Sequence, residues 1–316
     1  MNEALETPLL QLHGLTVRFG GLTAIDNLDL HIAAGEIFAL VGPNGAGKTT
    51  VLNCISGFIK PVAGSIHFAG QDLLSLPAYT RAALGLGRTF QQLQLFSSMS
   101  VLDNLLIAQH TRLHAGMFSG LLPFGRSKRE DAQARAHALA TLELLGLAEY
   151  ASRIAGALPF STQKLIGVAR ALVLHPRLVL LDEPAAGVPP QDVDELASRL
   201  RLWRDELSTT LLLIEHNMHM VQAVADRVCV LDYGSKLAEG KPAAVLSNAA
   251  VLEAYLLQYP QTDRRDGANR IPPRASSRAE HSTRETQNRS SDFALGREAG
   301  REIVTEQAQE GSHAES

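Results

Sequence analysis

The stretch Gly42-Pro43-Asn44-Gly45-Ala46-Gly47-Lys48-Thr49 constrains this chain more than any other part of it. It is a glycine-rich turn closed by Lys-Thr. Before it comes Ile37-Phe38-Ala39-Leu40-Val41, a continuous apolar run of the kind found in strands covered on both faces. After it comes a helical pattern over Lys48–Ser56. This strand–turn–helix context separates a phosphate-binding turn from an ordinary bend. Glycines let successive backbone N–H groups converge on an anion, and the new helix turns its positive end toward it. Lys48 supplies a mobile cation to β- and γ-phosphates, and Thr49 supplies a hydroxyl to Mg²⁺. The cofactors expected from this turn are ATP and Mg²⁺.

The rest of the chain fits the same layout. Leu178–Leu181, Leu211–Ile214 and Val228–Leu231 are three more buried-strand runs, and Leu28, Leu30 and Ile32 alternate with polar residues as in a half-exposed strand. Helical patterns cover Ser100–His110, Ser127–Leu145, Gln163–Leu174 and Gln191–Leu207. Buried strands alternating with helices predict an α/β fold with a mainly parallel sheet. The largely helical stretch from about 88 to 174 predicts a helical subdomain inserted into it.

Leu178-Val179-Leu180-Leu181-Asp182-Glu183-Pro184 ends an apolar strand in two acids. Ionised carboxylates at such a place are costly unless paired or put to work. Asp182 suits a Mg²⁺ ligand, and Glu183 is placed to polarise an attacking water. The alternative is that both acids only cap the next helix.

Composition narrows the function. With 29 Lys+Arg against 33 Asp+Glu the net charge is -4, which gives no support to a nucleic-acid partner. Cys54 and Cys229 form no metal-binding or disulfide pattern. No run approaches the ~20 apolar residues of a membrane span, and the acidic N-terminus does not read as a secretory signal. Near Pro260 the composition changes: residues 261–316 carry nine Arg, no Lys and five large apolar residues, and read as a polar, disordered tail.

Taken in order, the motifs over residues 9–258 resemble the ATP-binding subunit of an ABC transporter. Arg88-Thr89-Phe90-Gln91 is similar to the segment carrying that family's Q-loop glutamine, and Ile214-Glu215-His216 to its switch histidine. Phe19 stands where the family places an aromatic ring against adenine, and Leu158–Arg170 occupies the signature position. Within the family, the branched-chain amino acid import branch is the most similar. The matching stretches are Asn53-Cys54-Ile55-Ser56-Gly57-Phe58, Asn104–His110, Gly116–Leu122, Asp182–Gly187 and Ile214–Met218. The larger of that branch's two paired ATPase subunits fits best.

The resemblance implies a P-loop NTPase of the ABC type, with an antiparallel N-terminal β region beside the parallel sheet. It implies Glu183, His216 and Gln91 in catalysis. Phe19 and residues Gly42, Pro43, Asn44, Gly45, Ala46, Gly47, Lys48, Thr49 and Thr50 would hold the nucleotide, and Thr49, Gln91 and Asp182 the metal. Ser161, Thr162 and Gln163 would serve a partner's ATP in trans. The implied partners are a second ATP-binding subunit in a head-to-tail dimer, two transmembrane permease subunits and, indirectly, a periplasmic solute-binding protein, at the cytoplasmic face of the inner membrane.

Two stretches depart from the pattern. The signature reads Leu158-Pro159-Phe160-Ser161-Thr162-Gln163, with Ser161 where the branch commonly keeps a glycine. Either the helix N-terminus still binds phosphate with help from the Ser161 hydroxyl, or this signature serves the partner's site poorly. Pro189 replaces the Asn or Asp that usually contacts the opposite subunit. Three rivals remain at this point: an ABC ATPase for urea, lipid or lipopolysaccharide, a soluble non-transport ABC protein, and a scaffold without hydrolysis.

Overall fold

The computed structural model describes residues 8–89, 95–113 and 126–258; Gln91, the stretch 116–122 and the tail 261–316 lie outside the described residues. The chain runs β1 (Leu10–Phe19), β2 (Leu22–Ile32), β3 (Ile37–Val41), α1 (Lys48–Ser56), β4 (Ala63–Phe68), β5 (Gln71–Asp72), α2 (Ala78–Arg81) and β6 (Leu86–Arg88). There follow α3 (Val101–Leu113), α4 (Arg126–Leu144) and α5 (Phe160–Leu172), then β7 (Leu178–Asp182), α6 (Val193–Leu207), β8 (Thr210–Ile214) and α7 (Met218–Val224). β9 (Arg227–Asp232), β10 (Ser235–Gly240), α8 (Pro242–Leu246) and α9 (Ala249–Gln258) complete it.

Two sheets result. One is antiparallel, in the order β2-β1-β4-β5; the other runs β10-β9-β3-β8-β7-β6 and is parallel except for the β9–β10 pair. The expected central strands are real: β3, β7 and β8 are buried at every position. Their side chains alternate between two cores, as the two-residue period of a strand requires. Ile37, Ala39, Val41, Val179, Leu181, Leu211 and Leu213 face a cluster that includes Leu105, Leu142, Ile166 and Trp203 from α3, α4, α5 and α6. Phe38, Leu40, Leu178, Leu180, Leu212 and Ile214 face the other side, where Val51, Leu52 and Ile55 of α1 lie against Leu12, Leu15 and Ile66 of the antiparallel sheet.

Local chemistry explains the ends of α1. Gly47 precedes it at φ 99°, and a Cβ there would come within 2.4 Å of Ile25 Cδ1 and 2.7 Å of Ala24 O. Gly57 closes it in the left-handed region at φ 84°. The stretch after position 88 is more composite than its helical pattern suggests. Arg88 itself belongs to β6, which pairs in parallel with β7 at the sheet edge, and the long helices α3, α4 and α5 lie between these two strands in sequence. A three-residue strand is too short to leave a periodic signal.

Candidate nucleotide site

Parallel strands all deliver their carboxyl ends to one edge of a sheet, and ligands of open α/β sheets bind there. Here Leu40 lies opposite Ile214, and Ile214 opposite Asp182. The residues that follow each strand therefore form a row: Gly42 after β3, Glu215 and His216 after β8, Glu183 after β7.

The turn 42–49 is held by its surroundings. A Cβ on Gly42 would come 2.1 Å from Leu231 O, so the turn's first residue tolerates no side chain against β9. Ala46 N–H donates to Pro43 O at 3.2 Å, and Gly234 N–H donates to Ala46 O at 3.1 Å. Lys48 is buried; its Nζ donates to Gly42 O at 2.7 Å and Pro43 O at 2.8 Å. Burial lowers its pKa, against the opposing pull of Glu183 and Asp182. Asn44 and Thr49 are exposed on the open side of the turn and Thr50 is half-buried. Phe19 is 50% exposed at the end of β1, opposite Leu22 in the hairpin whose Ala24 and Ile25 press on Gly47.

Across the sheet edge, Asp182 is 5% exposed and Arg88 Nη2 lies 3.6 Å from its Oδ2. Burial pushes the Asp182 carboxyl above its ordinary range, and Arg88 is the first of the groups opposing that shift. Glu183 turns out of β7 with φ 50°, a conformation costing about 1–3 kcal/mol for a non-glycine residue and one that gathers at functional sites. Its Oε1 lies 3.0 Å from His216 Nε2. Glu215 is 2% exposed and accepts from Ala185 N–H at 2.6 Å, His216 N–H at 3.1 Å and Asn217 N–H at 3.3 Å. That one carboxylate ties the loop after β7 to the loop after β8.

This geometry suits a triphosphate with a hard cation. Gly42, Gly45 and Gly47 leave backbone uncovered along the turn, and the first turn of α1 and Lys48 supply positive charge. Thr49 and Asp182 are oxygen donors of the kind Mg²⁺ takes when it arrives with substrate phosphates and keeps several waters.

The family model described as ABC transporter matches residues 25–186, and a second, described as branched-chain amino acid ATP-binding cassette transporter, matches residues 235–256. The chain is 45% identical over 249 residues to the high-affinity branched-chain amino acid transport ATP-binding protein LivG of Escherichia coli, covering 79% of this chain and 98% of that one. BraF of Pseudomonas aeruginosa, with the same description, is 40% identical over the same shares. Among solved structures, the ADP conformation of an ATP-binding cassette of an ABC transporter superposes with TM-score 0.69 at 29% identity, covering 79% of this chain and 99% of that one.

The chain belongs to the ABC transporter family. It is an ATP-binding, ATP-hydrolysing subunit. Like other ABC ATPase cassettes of known structure it has the α/β fold described above, and among the described residues no helix is long and apolar enough to cross a membrane.

Within this ABC subunit, the sequence-predicted residues divide into three groups. Lys48, Asp182, Glu183 and His216 gather at one sheet edge, with Phe19 at its rim. Gln91 lies outside the described residues. Ser161, Thr162 and Gln163 open α5, and among the described residues none of them hydrogen-bonds to the turn 42–50. Gln163 Nε2 donates to Leu158 O at 2.8 Å, while Ser161 and Thr162 line a cavity of about 240 Å³ with Tyr150, Asp192 and Arg199. Two residues were not singled out from sequence. Glu215 was read only as the neighbour of His216, and Arg88 only as part of the Q-loop segment. An acid directly after the apolar run of β8 was the available signal for Glu215, of the same kind that marked Asp182.

Proposed function

We propose that this subunit powers uptake of branched-chain amino acids through separate membrane subunits. The convergence of Lys48, Asp182, Glu183 and His216 at one edge of the sheet carries the chemical part of this reading. The relatives LivG and BraF, matched over 98% of their length, support the cargo.

In this reading the turn 42–50 wraps the phosphates, Phe19 stacks on adenine, and Lys48 leaves its carbonyl partners for the β- and γ-phosphates. Thr49, Asp182 and Gln91 would hold Mg²⁺, which would supply positive charge against the phosphates. Glu183 takes the proton of the attacking water. His216, whose Nε2 lies 3.0 Å from Glu183 Oε1, orients it and reaches the γ-phosphate. A second ATP-binding subunit docks head to tail, so that Ser161, Thr162 and Gln163 of this chain meet the partner's ATP. Bound ATP does work only because it favours the closed pair over the open one. Two permease subunits and, through them, a periplasmic solute-binding protein complete the assembly, with this chain at the cytoplasmic face of the inner membrane.

Purifying the native complex and reconstituting it in liposomes tests the proposal. Leucine, isoleucine or valine uptake that needs ATP on the subunit side is expected. Stimulation by urea or a lipid, with none by these amino acids, overturns the cargo.

A further inference from the structure

We infer that Arg88 is a positioning residue for the metal-holding carboxylate of Asp182, an inference that rests on the reading of Asp182 as a Mg²⁺ ligand. Arg88 ends β6, where it lies opposite Leu180 of β7. On a pleated sheet Leu180 and Asp182 share a face, so the guanidinium reaches the carboxylate diagonally. It cannot drift. Nη1 donates to Ser56 Oγ at 2.9 Å and Leu52 O at 3.4 Å, both in the second half of α1, and the group lies 5.4 Å from the centre of the Phe58 ring. The remaining arm, Nη2, faces Asp182 Oδ2 at 3.6 Å.

Both side chains are nearly dry, at 10% and 5% exposure. A buried ion pair is a poor source of stability, since desolvating two charges cancels most of their attraction. Its use here is geometric. Among the described residues Asp182 has no other ion pair or side-chain hydrogen bond through its carboxylate, and among them it is Arg88 that fixes how it is turned. Engaging one oxygen leaves the other for the cation side. The arginine is itself anchored to α1, the helix that carries Lys48 and Thr49. It therefore sets Asp182 in register with the phosphate-binding turn as well as with its own strand.

Groups that orient a metal ligand typically change metal affinity about 10–100-fold when removed. The test is Mn²⁺ binding to the full-length chain with a non-hydrolysable ATP analogue, followed by electron paramagnetic resonance. Arg88→Met is expected to weaken Mn²⁺ at least about tenfold while binding of the metal-free analogue changes less than twofold. Arg88→Lys, which keeps charge but loses the fork, is expected to fall between, and Ser56→Ala to weaken Mn²⁺ a few-fold. Should Arg88→Met not fold, Arg88→Lys decides. Asp182→Asn separates the two layers of the argument. If it leaves Mn²⁺ affinity unchanged, the assignment of Asp182 fails. If it abolishes binding while the Arg88 variants match wild type, only the role of Arg88 is overturned.

Discussion

His216 Nε2 lies 3.0 Å from Glu183 Oε1, and this contact joins the ends of two neighbouring parallel strands, β8 and β7. In the proposed mechanism both groups act on one phosphate, and the sheet holds them together without a flexible linker. Glu183 pays with an unusual backbone conformation. That cost is reasonable for a residue whose carboxylate must face the row of strand ends rather than continue along β7.

Replacing Glu183 with Gln keeps the shape and the contact with His216 but removes the proton acceptor. Loss of a general base typically costs about 10²–10⁴ in rate, so Glu183→Gln is expected to bind ATP normally and hydrolyse it at that reduced rate. Single-turnover hydrolysis alongside fluorescent-nucleotide titration measures both. Near-normal turnover would remove Glu183 from the role.

Glu215→Gln tests the tie between the two loops. The carboxylate accepts three backbone N–H groups, and an amide turns an NH₂ toward at least one of them. A buried donor left unpaired costs about 1–3 kcal/mol. Thermal melting is expected to fall by that measure, and turnover to fall with it as Glu183 and His216 lose their common support. There is also a pH signature. Burial, the largest influence, raises the Glu215 pKa above the ordinary 4.5 of a glutamate. The native state then binds more protons than the unfolded one between 4.5 and the raised value, so this group's contribution to stability declines as pH rises through that window. The Gln variant is expected to lack that decline when melts are run at several pH values.

The P-loop strand, the acid pair and the order of strands and helices were legible because each carries a signal stronger than its context. Five consecutive apolar residues or a glycine-rich turn before a helix leave few alternatives. β6 and Arg88 were not legible as strand and anchor. Three residues show no period, and the worth of Arg88 depends on Ser56 and Asp182, far away in sequence. Start positions also shifted. α5 begins at Phe160 rather than Gln163, because Pro159 has the extended conformation of an N-cap and a proline there needs no N–H partner. α6 begins at Val193 after a short 3₁₀ turn over Pro190–Asp192.

Arg227 shows how the two sheets are fastened beneath the site. Its guanidinium meets Glu36 through Nε at 2.7 Å and Nη2 at 3.0 Å, Glu239 at 2.8 Å and His31 O at 2.6 Å, and it stacks 4.9 Å from the Phe38 ring. His31 belongs to the antiparallel sheet, and Glu239 to the far edge of the other. Arg227→Met removes the ion pair of Glu36, whereas Glu239 keeps Lys236 at 2.8 Å. The expected loss is about 2 kcal/mol, a buried-pair penalty reduced because the arginine is partly exposed to solvent. Urea unfolding of the isolated subunit checks this, with nucleotide affinity expected to change far less than stability.

The last prediction concerns the signature. α5 starts with three residues, Phe160, Ser161 and Thr162, whose N–H groups precede the first intrahelical bond, Gln163 N–H to Pro159 O. Such a helix end favours an anion, which supports the reading that phosphate can still bind here with serine in place of the usual glycine. In the head-to-tail dimer proposed above, Ser161 adds a side chain where a partner's γ-phosphate would come close. If that crowding makes the partner's site the weaker one, Ser161→Gly is expected to raise hydrolysis there several-fold. The site built on this chain's own Lys48 and Glu183 should stay unchanged, because the partner's signature completes it. Vanadate trapping of a photoreactive ATP analogue in the native complex reads the two sites separately. Equal trapping on both subunits before the substitution, and no change after it, would show that the serine hydroxyl serves as well as bare backbone.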